Sequence, residues 1–316
     1  MSSIASNDSG SAPLSAALLG WSRLPAEYAI PERAPSEAEA REYCRRLARS
    51  HYENFSVATW FLPRRLRQHF FNLYAYCRIS DDLGDEVGDP DASLQLLDEW
   101  QAELDACYAG SPRHPVFVAL AETVRKFDIP RQPFADLLKA FRQDQTISRY
   151  ETFEDLLGYC RYSADPVGHV VLYLCGYRDP ERRALSNFTC TALQLANFWQ
   201  DVSVDYSKGR IYLPLEDLRR YKVNEEDIAA ARNTPAFCEL MRFEVERARD
   251  WFKQGWPLAG QVDRELAVDI ELFSRGGREI LNAIGRQGHA VLGRRATISK
   301  ARKLALLARA ALGKLL

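Results

Sequence analysis

The chain lacks several features that would have assigned it quickly. Among its 316 residues no stretch supplies the run of about eighteen uncharged apolar residues that a membrane-spanning helix needs. Its seven cysteines, at positions 44, 77, 107, 160, 175, 190 and 238, form no CxxC pair. An odd count at wide spacing excludes a disulfide framework and a zinc cluster, and reads as buried free thiols in a reducing compartment. Charge of either sign is not in excess: 42 basic and 43 acidic residues leave a net charge of -1, so no global field points to nucleic acid. The first 20 residues carry no Lys or Arg and lack the basic start of a signal peptide. We read residues 1–20 as a disordered tail, residues 21–316 as one folded domain, and the protein as cytoplasmic.

What the chain has is helical periodicity. With 47% hydrophobic and 27% charged residues it can bury a large core. Apolar residues recur at helical spacing, with few alternating runs, which predicts helices at about 36–49, 64–86, 91–109, 114–128, 131–147, 151–176, 180–206, 235–256, 262–286 and 299–314. Pro63 suits the start of the second helix, Asp89-Pro90-Asp91 and Ser111-Pro112 break the chain, and Gly209 suits the end of the helix from 180. No repeat and no linker after residue 20 divides it. The expectation is all-α: one single-domain helical bundle around a central cavity.

Two acidic groups stand out. On the helix from 64, Leu66, Phe70, Leu73, Tyr74 and Cys77 form an apolar stripe. At about 100° per residue, Asp81 lies about 20° from Phe70, and Asp85 about 20° from Tyr74. The carboxylates therefore continue a core-facing stripe, where unpaired charge is costly and a divalent cation relieves the cost. Hard oxygen ligands suit magnesium, which keeps several waters and reaches for phosphate. Arg78, on the adjoining face, could serve a diphosphate oxygen or an acidic neighbour. A solvated acidic helix end is the competing reading, since Asp82 and Glu86 cluster there too.

The second group, Asn197, Asp201 and Asp205, is spaced four residues apart, so that each step turns about 40° and the three form one ridge. It rises from an apolar face that includes Cys190 and Leu193, and Lys208-Gly209-Arg210 follows with cations for a phosphate. An acidic surface ridge is the alternative. If the two helices face each other, magnesium ions between them would grip a diphosphate and draw it off as a leaving group. The resulting carbocation would need an apolar chamber with aromatic faces. Phe70, Phe71, Tyr74, Tyr76, Tyr159, Tyr162, Phe198 and Trp199 are candidate walls, and each is also a good core residue.

These residues resemble the squalene/phytoene synthase family, the head-to-head prenyl synthases, over about residues 50 to 305. The resemblance implies that the family's DxxxD and NxxxDxxxD metal motifs fall on Asp81/Asp85 and Asn197/Asp201/Asp205. It makes Cys77-Arg78 the family's CR pair and Gly209–Pro214 its GR(I/V)YLP segment, with Arg210 as a diphosphate ligand. The stretch YCRYSADPVG, 159–168, resembles the family's YCxYxAGxVG. That would assign Tyr159 a part in ionisation and place Val167 and Gly168 against substrate, with Tyr74. The stretch AFRQDQTISRY, 140–150, resembles the helix before it.

Three departures matter. The family's AG is Asp165-Pro166, and the proline should kink that helix. The SRSF-type segment is His51-Tyr52-Glu53-Asn54-Phe55, which lacks the binding arginine and leaves Phe55 as a substrate contact. Gln200 stands where the family has an arginine before Asp201, and is expected to take that residue's place as a substrate contact. The chain is thus short of cations for a second diphosphate. HYENF, SADPVG and NFWQDVSVDYSKGRIYLP together most resemble the hydroxysqualene synthase branch of bacterial hopanoid biosynthesis. The resemblance implies magnesium-dependent ionisation of presqualene diphosphate, capture of the rearranged cation by water, and no requirement for NADPH. The absence of a Gly-rich dinucleotide turn does not decide the last point. Glu53, Tyr52 and Asp165 are all open as the group that places the water. Alternatives are presqualene diphosphate, squalene or phytoene synthesis, and a non-catalytic scaffold among hopanoid enzymes; the intact acid motifs oppose the scaffold.

Residues 299–316 read as a basic amphipathic helix. Two roles are open for it: peripheral contact with an anionic membrane, or the last helix of the bundle. Arg294-Arg295 just upstream could close over the site or be solvated.

Overall fold

A computed structural model describes residues 24–50 and 63–315. The helices are α1 (Glu37–Ser50), α2 (Arg64–Asp85), α3 (Pro90–Ala109), α4 (Pro115–Phe127), α5 (Gln132–Gln143), α6 (Phe153–Ser163), α7 (Asp165–Leu174), α8 (Pro180–Ser207), α9 (Leu215–Tyr221), α10 (Glu225–Ala229), α11 (Pro235–Gly255), α12 (Arg264–Arg286) and α13 (Lys300–Leu315). Short 3-10 turns cover Ala26–Tyr28 and Trp256–Gly260. Among the described residues there is no strand, only one isolated bridge between Arg149 and Ile211. The all-α expectation holds.

The starts of these helices are written locally. Asp89, Asp179 and Thr234 each accept a hydrogen bond from a first-turn amide, and each is followed by a proline whose missing N–H costs nothing there. Thr152 and Asp155 form a reciprocal capping box at α6. Gly209, at φ 82°, follows the end of α8 as expected.

Two expected helices differ. The stretch 151–176 is broken between α6 and α7 at Ala164 (φ -118°, ψ -52°). Pro166 has no N–H for the carbonyl of Tyr162 and would collide with it, so the chain restarts instead of bending. The helix expected to reach 147 stops at Gln143, and residues 144–147 continue as turns. Helices α9 and α10 were not foreseen, being too short to show a period.

Two apolar cores result. One, around α2, α3, α4 and α5, is filled by Tyr76, Trp100, Phe117 and Phe134; the other, around α8 and α11, by Trp199, Phe237 and Phe252. Helix α8 is the central element, packed on α7, α11 and α12. Gly255 lets α11 approach it: a Cβ there would lie 2.3 Å from Thr189 Oγ1 and 2.8 Å from the Thr189 amide nitrogen. Beneath α11, Arg247 donates to Asp217 (2.7 Å) and Glu244 (3.3 Å), both buried. Its guanidinium also lies 4.1 Å from the centre of the Phe153 ring. Burial holds the Glu244 carboxyl well above its ordinary range, so removing the cation strands the Asp217 carboxylate beside a neutral neighbour. Arg247→Met should therefore lower the unfolding free energy by about 3 kcal/mol, read by urea denaturation with an unchanged slope.

Candidate active site

The seam between the two cores opens into a cleft. Its polar half, about 360 Å³, is lined by Arg78, Asp81 and Asp85 of α2, Asn197 and Asp205 of α8, Asp144 beyond α5, Tyr159 of α6, and Arg210 and Tyr212 of the segment after α8. Its apolar half, about 320 Å³, is lined by Phe70, Leu73, Val171, Leu193, Ile270 and Phe273, with Gly168 on its wall. Tyr74, Cys77 and Val167 border both halves and join them. The two acid motifs, more than a hundred residues apart, thus face one chamber.

The segment after α8 ties them together. Arg210 donates to Asp85 at 2.7 Å, and the Lys208 ammonium lies 3.1 Å from Asp85 and 3.4 Å from Glu86. The segment is held in turn by Ile211, whose amide donates to the Ser148 carbonyl at 2.9 Å. Even so, the chamber has more negative charge than its cations neutralise. Burial, and then neighbouring Asp85, push the Asp81 carboxyl up to about 6, although half of its side-chain surface faces the open cleft. Burial, and then Asp201, push Asp205 up to about 7. Burial also pushes Asp144 up to about 7, against the opposing pull of Arg210.

The other residues singled out in the sequence have varied positions. Arg78 lines the cleft, but its guanidinium is held by buried Asp82 (Nε to Oδ2, 3.0 Å), which also accepts from the Tyr28 hydroxyl at 2.7 Å. Asp82 thus fixes the cation, and Arg78 stands 4.0 Å from Asp81. Asp201 is not part of the lining. The backbone leaves helical geometry at this residue (φ -109°, ψ 15°), and Arg295 holds its carboxylate from outside, Nη2 to Oδ2 at 2.8 Å. Gln200 also points away from the cleft: it is buried, its amide donates to the Ala296 carbonyl, and it accepts from Arg295 at 3.4 Å. Direct substrate contact by Gln200 does not fit that position: about 100° of helical rotation from Asp201, it is turned to the segment at Ala296. Phe55, Tyr52 and Glu53 lie outside the described residues. Asp165 is buried, accepts from Thr191 at 3.0 Å and lines neither half. Tyr76 and Trp199 are fully buried core residues, not walls.

Gly168 is explained by packing as well as by exposure to the apolar half. A Cβ there would lie 2.3 Å from Ser186 Oγ and 2.6 Å from Cys190 Sγ. Tyr159, Phe198 and Tyr212 form an aromatic wall of the polar half, with Phe198 and Tyr212 stacked at 3.9 Å between centres.

Asp144 was missed by the sequence reading. It accepts from Tyr159 at 2.8 Å and Tyr212 at 3.4 Å, and so anchors the phenol in the polar half. A single aspartate at a helix end has no spacing partner to reveal it; only its place within AFRQDQTISRY pointed near.

Among the described residues, no group of three or more His, Cys, Asp or Glu side chains converges as a ready metal cage. The donor set nevertheless suits a hard dication. It consists of carboxylates and one amide, crowded enough to raise two of the acids, with open space in which water and phosphate oxygens can complete the coordination. Because these acids take up protons near neutral pH, magnesium with inorganic diphosphate should raise the melting temperature more at about pH 8 than at about pH 5. A thermal-shift titration at both values checks this; an equal rise would oppose carboxylate ligation.

Comparison with known proteins agrees with this geometry. The squalene/phytoene synthase family model matches residues 48–302. Among solved structures, the squalene synthase HpnC from Alicyclobacillus acidocaldarius is 44% identical, covering 86% of this chain and 98% of its own, with a TM-score of 0.76. A dehydrosqualene synthase is 27% identical over 87% of this chain and 96% of its own, with a TM-score of 0.79. The 15-cis-phytoene synthase of Synechococcus elongatus is 32% identical over 88% of this chain and 95% of its own. The chain is therefore a member of the squalene/phytoene synthase family, an enzyme family acting on prenyl diphosphates.

Proposed function

We propose that the protein is a hydroxysqualene synthase: it ionises presqualene diphosphate, lets the cyclopropylcarbinyl cation rearrange, and captures the product cation with water. The observation that carries this reading is a carboxylate-rich chamber that opens into an apolar one and, among the described residues, has few cations. Few cations serve it: of the described residues lining the polar half, only Arg78 and Arg210 are cationic, and Arg78 is held by Asp82. That is sparse provision for two diphosphates. The 44% identity to squalene synthase HpnC, against 32% to the phytoene synthase, favours the squalene branch of the family over phytoene synthesis.

In this reading Asp81, Asp85, Asn197 and Asp205 would hold magnesium from inside the cleft, while Asp201 stays paired with Arg295 outside the lining. Bound magnesium supplies the positive charge that makes diphosphate a good leaving group. Arg210 and Lys208, already stationed on Asp85, exchange that carboxylate for diphosphate oxygens. The Tyr159 hydroxyl, oriented by Asp144 in the polar half, would assist departure of the diphosphate. The faces of Phe198 and Tyr212 stabilise the cation while the hydrocarbon lies in the apolar half.

The test is incubation of purified protein with presqualene diphosphate and magnesium, with and without NADPH, followed by mass spectrometry of the extract. Hydroxysqualene in both reactions is expected. Squalene formed only with NADPH would overturn the assignment. So would conversion of farnesyl or geranylgeranyl diphosphate alone, which is the outcome favoured by the resemblance to phytoene synthases.

A further inference from the structure

Helix α13 has three differently made sides. Leu306, Ala310 and Gly313 face α12, lining a crevice with Val268 and Leu272 whose rim Arg309 and Leu312 also touch. The Arg264 guanidinium donates to the Gly313 carbonyl at 2.9 and 2.6 Å, and Arg302 pairs with Glu279 at 2.9 Å. The helix is therefore a docked part of the bundle. At about 100° per residue, its far side carries Ala301, Leu304, Ala305, Ala308 and Leu312, all exposed. Leu304 is 68% and Leu312 59% exposed, more than any other large apolar side chain among the described residues. Arg309 borders this stripe on one edge, and Lys300 and Lys303 on the other. Residues 299–316 contain no acidic residue.

A helix that only covered α12 would turn polar groups to water. This one turns out a second apolar stripe, bordered by positive charge. We propose that the far side of α13 docks the protein on an anionic lipid bilayer, with the leucines in the acyl boundary and the basic side chains at the headgroups. The charge pattern selects this occupant. The stripe is shallow and rich in alanine, without the aromatic or central arginine anchors of protein interfaces. Basic groups on both borders match a helix lying in a membrane plane. Among the described residues no helix is long and apolar enough to cross a membrane, so this would be surface attachment.

The inference is independent of which prenyl diphosphate the cleft accepts. Its test is sedimentation of the full chain with vesicles. The protein should pellet with vesicles rich in phosphatidylglycerol and remain in solution with phosphatidylcholine alone. Leu304→Glu/Leu312→Glu and Lys300→Glu/Lys303→Glu should each abolish pelleting while leaving the helical CD signal and melting temperature unchanged. Neutralising one basic side chain should weaken partition about fivefold. Failure of the unmodified protein to pellet, or pelleting of the leucine variant like the parent, would overturn the proposal. It would also fall if the leucine variant altered only the size of the protein in gel filtration, since the stripe would then be a contact between copies.

Discussion

Asp81→Asn and Asp85→Asn should each reduce turnover by roughly a thousandfold or more, yet they should separate cleanly in stability. Among the described residues Asp81 pairs only with Arg78, which stands 4.0 Å away and is committed to Asp82. Its carboxyl, raised to about 6, is a liability in the metal-free protein above that pH. Neutralising it should leave the metal-free enzyme as stable as the parent, or more so, at about pH 8. Asp85 is the opposite case. It accepts from Arg210 and Lys208, and Asp85→Asn leaves two cations without their counter-ion. That variant should be less stable, and should bind inorganic diphosphate better without magnesium, since both cations are released to the ligand. Turnover, thermal unfolding and calorimetric diphosphate titration of the two variants decide the matter. Full activity in either variant would remove its carboxylate from the site, and identical stabilities would refute the electrostatic division between them.

The difference between these two aspartates could not be read from the sequence, though their placement could. Phe70 and Tyr74 fixed the direction of both carboxylates through plain helical rotation, because α2 runs unbroken from Arg64 to Asp85. The same arithmetic failed on α8. Asn197 and Asp205 line the cleft and Asp201, between them, does not. Rotation assumes constant φ and ψ, and at Asp201 they depart from helical values. Gln200, expected at the substrate from the family's arginine at that place, instead gives its amide to Ala296 and sits beside Arg295. These partners come from nearly a hundred residues downstream, where no local pattern announces them. Asp165-Pro166 was legible as a disturbance, because proline acts on the backbone next to it, but whether the chain bends or breaks there depends on what α6 and α7 pack against. Fold class, motif helices and the common chamber follow from periodicity and spacing. Ion pairing inside the chamber follows from tertiary approach.

Asp144 shows what such approach creates, and its replacement carries the second large expected effect. Asp144→Asn keeps the shape but weakens the acceptor that orients Tyr159 and Tyr212. Turnover should fall on the order of a hundredfold, with helical content unchanged. Tyr159→Phe should cost a similar factor in the parent and much less in the Asp144→Asn background, because the two groups act through one hydrogen bond. Stability should move the other way. The carboxyl of Asp144 is raised by burial from its ordinary value to about 7, so the folded metal-free protein holds this proton more tightly than the unfolded chain does. As pH rises from the unfolded carboxylate range through about 7, the carboxyl must ionise in its buried place and the fold loses stability. The asparagine has no such term. Asp144→Asn should therefore raise the melting temperature of metal-free protein at about pH 8, and the gain should vanish toward about pH 4. Lost turnover together with a pH-dependent gain in stability would identify Asp144 as a charge kept at a cost to the fold because the reaction uses it. A variant that is slow and also less stable at every pH would instead make it a packing residue.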